Sequence, residues 1–259
     1  MADFLTFSLA SIFIFSLVLI RIMGLSIVSP VFGGEQVPIQ IRVLLALSIA
    51  FVFFPSLALK TASLPRSPIE YFIIVVKELC IGLLIGFLVT AVFYGFQLGG
   101  RYISIHMGLA LSRILDPFSN VQTTVIGQML GLITLTVFLI INGHHLILRA
   151  LYASFVKIPP LSAVFHPNIF EHSIKVFNIV ITTSLKIAVP TMAALFAINL
   201  IFGFIARLVP RMNVFILSLP AKIGVGVIIF LVTIPAILLL FSDVVEDVFR
   251  NVYIIINAF

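Results

Sequence analysis

The residues in this chain that could do chemistry are few, and their spacing argues against most reactions. Five histidines invite a metal or haem site. His144 and His145 are adjacent, so on a helix they point about 100° apart and do not share one metal-binding face. Neither His-Glu-x-x-His nor a Gly-x-Ser-x-Gly elbow occurs, which removes the simplest zinc-protease and serine-hydrolase readings. No phosphate-cradling glycine loop is present, and the acidic residues are too scattered for a paired-carboxylate site. Cys80 is the only cysteine, so neither an intrachain disulfide nor a cysteine-based metal cluster can form. No enzyme and no cofactor are expected. A membrane enzyme with a histidine-bound cofactor remains the one catalytic alternative.

The charges that remain sit in unusual places. Lys77, Glu78 and Lys186 lie within apolar stretches, and Arg21 falls towards the end of the first. Charges so placed face protein or water, and they signal function or a buried pair. Pairing within an assembly is the expected role for all four, with snorkelling as the alternative for Arg21. The net charge of +6 is spread thinly, without a run of four Lys or Arg, so no nucleic-acid or polybasic lipid patch is expected.

The elements that must position these residues are membrane helices. Of 259 residues, 62% are hydrophobic and 9% charged, against about a quarter charged in soluble domains. Six apolar blocks stand out, at residues 4–31, 43–59, 71–98, 125–142, 176–206 and 223–242. About 20 residues cross a bilayer core, so the first, third and fifth are overlong. The first reads as a retained helix, not a cleaved signal. Pro190 predicts a kink or a hairpin within the fifth block. Pro159-Pro160 splits a moderately apolar segment at 149–168, and the tail from Asp243 reads as a separate amphipathic helix. There is neither a repeat nor a soluble domain. The chain is expected to be one all-α membrane domain over residues 1–259.

Loop charges leave orientation open. With six spans, one side receives Lys60, Arg66, Arg149, Lys157, Lys175 and Arg250, and the other Arg42, Arg101, Arg113, Arg207, Arg211 and Lys222. The even split implies a miscounted span or stretches buried against partner subunits instead of lipid. Three glycine pairs four apart, Gly82/Gly86, Gly95/Gly99 and Gly127/Gly131, suit close helix packing.

Residues 99–128 join two apolar blocks without being polar themselves. Within them, 107–112 are small and apolar, and Gly108 permits backbone shapes a helix would not. Asp116-Pro117 favours a turn. Apolar non-helical backbone at membrane depth is tolerated only inside protein or along a cavity. Either a plug or a re-entrant packing loop satisfies that condition.

Several stretches resemble the FliR family of flagellar export proteins, whose injectisome counterparts form the SctT family. They are Arg21-Ile-Met-Gly24 with Pro30-Val-Phe32 and Val37-Pro38; Glu78-Leu-Cys-Ile-Gly-Leu-Leu-Ile-Gly86; and Gly108-Leu109 with Asp116-Pro117. Asn142-Gly143-His144-His145, followed by Ser154-Phe155 and Pro159, is the most specific, and Pro210-Arg-Met-Asn213-Val-Phe215 closes the set. The resemblance covers nearly the whole chain. It implies about six helices or hairpins, in P-like and Q-like parts, packed with P and Q subunits into a hetero-oligomeric cone. It implies residence in the bacterial inner membrane at the flagellar basal body, contact with other basal-body proteins, and transient passage of unfolded substrates. It also implies a central loop at about 101–122 that plugs the channel, a role falling on Met107, Gly108, Leu109, Ala110, Leu111 and Ser112. Arg113 departs from that apolar pattern. Assembly roles fall on Arg21, Lys77, Glu78, Gly82, Gly86, Asp116, Pro117, Asn142, Gly143, His144, Lys186, Pro210 and Asn213. The equivalent injectisome subunit and a stand-alone transporter are the alternatives.

Overall fold

The computed structural model describes residues 9–34, 37–57, 67–109, 124–164 and 166–259. Among them are eight helices and no strand: α1 Leu9–Val28, α2 Pro30–Gly33, α3 Ile39–Ser56, α4 Pro68–His106, α5 Val125–Ile140, α6 Gly143–Lys157, α7 Asn168–Leu208 and α8 Val214–Asn257. The all-α membrane class is therefore as expected. In lipid the backbone must satisfy its own hydrogen bonds, and a helix does so locally. The hydroxyls follow the same rule. Thr134 donates to the carbonyl of Leu130, and Thr182 to that of Asn178, each four residues back.

The third and fifth apolar blocks form overlong helices, as expected, and the last block is longer than expected. α1 has 20 residues, an ordinary span, and the first residues of its apolar block lie outside the described residues. α4, α7 and α8 have 39, 41 and 44 residues. At 1.5 Å per residue each is about 60 Å long, twice the hydrocarbon core. α7 runs on through Pro190 with no hairpin, and α8 continues through Pro220 and Pro235. The charged tail from Asp243 is the last part of α8, not a separate helix. Helix α4 also takes in residues 99–106, which were expected to begin the loop. Among the described residues, four helices are long and apolar enough to cross a membrane, or five if α5 and α6 form one span bent by 70°. α3 is a shorter apolar helix, so the described residues supply four or five candidate spans where the charge comparison took six.

The breaks have local causes. Asn142, at φ 58°, turns the chain between α5 and α6 in the left-handed region that asparagine tolerates. Pro159 and Pro160 follow the end of α6, and Pro210 lies in the turn between α7 and α8.

The chain divides into two compact units. One comprises the described residues of Met1–Ala91, Ile141–Val176 and Asp247–Phe259. Its core includes Leu17, Val18, Ile22 and Leu25 of α1, with Phe53 edge-on to Phe155 and Tyr152. The other comprises the described residues of Val92–Ile140 and Phe177–Glu246. Its centre is a cluster of Phe93, Phe96, Phe138 and Phe241, with ring centroids 5.1 to 6.5 Å apart.

Candidate functional site

Two arrangements carry the residues singled out by sequence. The first is a buried charge cluster. Arg21 on α1 and Glu78 on α4 are 0% and 1% exposed. The Arg21 Nε donates to Glu78 Oε2 at 2.7 Å, and Nη2 lies 2.6 Å from the same oxygen. Nη1 donates to Ser154 Oγ at 3.2 Å, and Nη2 also donates to the carbonyl of Ile158 at 3.0 Å. The guanidinium carbon sits 4.4 Å from the centre of the Phe155 ring. Arg21 is therefore paired inside the chain and does not snorkel. A planar five-donor fork suits this task, because it meets a carboxylate, a hydroxyl, a carbonyl and a ring at once.

Glycine makes this pairing possible. Gly82 follows Glu78 by four residues and so shares its helix face. A Cβ at Gly82 would collide with the Arg21 carbonyl oxygen, and one at Gly86 would meet the Leu25 carbonyl at 2.8 Å. In return, a Cβ at Gly24 of α1 would meet the Leu79 carbonyl at 2.7 Å. α1 thus lies backbone-to-backbone on α4, and this contact sets the Arg21 guanidinium beside the Glu78 carboxylate. Lys77 points elsewhere, donating to the Ala163 carbonyl at 3.1 Å.

The second arrangement is the end of α4. Leu109 N–H bonds the Ser104 carbonyl and Gly108 N–H bonds the Ile105 carbonyl, both at 3.0 Å, with Gly108 at φ 84°. This is the Schellman pattern, in which a left-handed glycine closes a helix and satisfies its last carbonyls. Met107 is buried, and its side chain fills the space a Cβ at Gly226 would need, 2.7 Å from Met107 Cγ. Gly108 and Leu109 are half-buried. Ala110, Leu111 and Ser112, together with Arg113, Asp116 and Pro117, lie outside the described residues.

The remaining residues are placed separately. Asn142 is the exposed turn before α6, and Gly143 is the buried first residue of that helix. The rings of His144 and His145 sit 4.2 Å apart, tilted by 39°. Asn213 caps α8, its Oδ1 accepting from Ile216 N–H at 3.3 Å. Pro210 is exposed in the preceding turn, and Lys186 is exposed on α7. The other two glycine pairs also mark close approaches. A Cβ at Gly95 or Gly99 would meet the Val180 or Ser184 carbonyl at 3.1 and 3.0 Å, one at Gly127 the Gln97 carbonyl at 3.1 Å, and one at Gly131 the Gln97 side chain at 2.8 Å.

Sequence reasoning missed the partners that complete the Arg21 cluster, namely Ser154, Phe155 and the Ile158 carbonyl. The available signal was the hydroxyl and ring of Ser154-Phe155, inside a stretch already singled out. These groups hold helices together.

Comparison with known proteins finds relatives across nearly the whole chain. The family model described as bacterial export proteins, family 1, matches residues 12–248. The chain is 30% identical over 250 residues to the flagellar biosynthetic protein FliR of Bacillus subtilis, covering 94% of this chain and 96% of that protein. It is 25% identical to FliR of Escherichia coli, over 90% of this chain and 88% of that one. It is also 26% identical to the Yop proteins translocation protein T of Yersinia pestis, over 84% of each. With the match running through α1 to α8, the chain belongs to the FliR family of bacterial export proteins.

Proposed function

We propose that this chain is a core subunit of the flagellar type III export gate, the membrane channel through which unfolded flagellar subunits are secreted. The observation that carries the reading is the family match over residues 12–248, with FliR proteins similar across nearly their full length. In this reading it assembles with P and Q subunits, and with other parts of the export apparatus, in the bacterial inner membrane at the flagellar basal body. Three helices about twice the thickness of a bilayer core support a setting in which partner subunits cover much of their length.

The channel is closed by residues 108–112, with Met107 as the anchor. The Schellman turn at Gly108 ends α4, while Met107 stays packed at Gly226. A narrow ring of apolar side chains excludes water and ions, because hydrating it costs more than leaving it dry. In this reading the segment is a low-stability element that opens locally when an exported chain pushes through. No covalent chemistry is needed in this subunit, and the driving energy comes from elsewhere in the machine.

The test is deletion of residues 108–112 in the assembled complex. Small ions should leak through while subunit composition stays normal. An ion-tight complex of normal composition would refute the plug assignment. The likeness to the Yersinia pestis protein favours a second reading, the equivalent subunit of a virulence-type injectisome. Loss of flagellar filaments on removal of the chain separates the flagellar reading from that one.

A further inference from the structure

On α7, Asn178, Thr182 and Lys186 recur every fourth residue, so they form one stripe, and all three are exposed. Thr182 is turned back on its own helix, donating to the Asn178 carbonyl at 2.7 Å and approaching Asn178 Oδ1 at 3.4 Å. Lys186 makes neither a hydrogen bond nor an ion pair with any described residue. Beside the stripe, Phe177, Ile181, Leu185 and Val189 are exposed as well.

Neither lipid nor water suits this surface. Residues 187–206 contain no charge, and their 20 residues span about 30 Å, which is a full hydrocarbon core without help from the preceding half. The half that carries the stripe is then surplus to the crossing. Its large apolar side chains are too many for water, and an ammonium with no counter-charge among the described residues, beside an amide, is too polar for acyl chains. A mixed surface of this kind fits another protein, and a lone cation selects an anionic group on it.

We infer that the Asn178–Thr182–Lys186 stripe of α7 is a docking surface for an apolar helix of a different export-apparatus subunit, one whose carboxylate pairs with Lys186. The inference rests on the export-gate reading, since it needs a hetero-oligomer. The partner side chain is an Asp or Glu facing the stripe, with its neighbours packed against Ile181, Leu185 and Val189. This separates Lys186 from Arg21, whose carboxylate is supplied by its own chain.

The experiment uses the full chain in native membranes. Carbodiimide treatment, which joins an amine to a touching carboxylate, is followed by peptide mass spectrometry, with photoreactive benzoylphenylalanine at Thr182 as the second probe. The expected result is an isopeptide from Lys186 Nζ to an Asp or Glu in an apolar helix of another polypeptide, with the Thr182 probe labelling that same helix. Lys186→Glu should lower retention of that subunit by about tenfold or more, as an unmatched buried charge demands, while Lys186→Arg retains it. Lipid adducts at 182, a Lys186 link only to carboxylates of this same sequence, or unchanged retention in Lys186→Glu would each overturn the inference. If a defined hetero-oligomer is recovered in those cases, the export-gate reading stands without it. Recovery of the chain with no companion at all overturns both.

Discussion

α1 and α8 are both apolar helices, yet they dispose of their surfaces in opposite ways. Half of the apolar window of α1 is buried within the chain, against 22% for α7 and 17% for α8. The charge on α1 is matched by Glu78, Ser154 and Ile158, whereas the Lys186 charge in the middle of α7 has no partner among the described residues. Glycines tell the same story. A Cβ at Gly24 or Gly82 would strike the facing helix, while one at Gly203 or Gly224 would meet nothing within 4 Å. The N-terminal helix is completed by its own polypeptide. In the export-gate reading, the surface that the C-terminal pair leaves exposed is completed by other subunits.

The largest effect that can break this comparison is Glu78→Ala. It strands a fully buried guanidinium, at a cost of about 3–5 kcal/mol. Recovery of folded chain and complex should collapse, measured by affinity purification from membranes. The double change Arg21→Met with Glu78→Leu should restore much of that yield, because it removes both charges together. Normal yield of Glu78→Ala with altered ion conductance would instead move Glu78 from packing to gating.

Phe241→Ala comes next. It empties the ring cluster it shares with Phe93, Phe96 and Phe138, and should cost about 3 kcal/mol in detergent unfolding. Gly82→Ala should cost about 1–3 kcal/mol, since α1 must shift to admit the methyl group. The smallest effect is Gly224→Ala, which meets open space in the single chain and should be neutral or stabilising by up to about 1 kcal/mol there. A bulkier Gly224→Leu sharpens the contrast. It should leave the isolated chain folded and reduce assembly, a pairing of results not expected for Gly82.

Much of the architecture was legible from apolar blocks, because a bilayer imposes one rule on every segment that enters it. Helix ends were less so. Hydropathy falls at Arg101 and His106, yet α4 continues to His106, since a polar side chain marks a change of surroundings and not the end of backbone hydrogen bonding. The same confusion detached residues 243–257 from α8. Pro190 removes one donor, but neighbouring turns carry the helix past it. The cap at Gly108 could be anticipated from residue type alone. The Arg21 cluster could not, because its partners lie 57, 133 and 137 residues away and only tertiary packing brings them together.

The central claim is that other export subunits cover the exposed apolar surface of α7 and α8. Native mass spectrometry of the assembly released intact from membranes tests this most directly. The prediction is a discrete hetero-oligomer in which this chain is bound to two other small membrane proteins. A single chain carrying only lipid and detergent, folded and monodisperse, would contradict it.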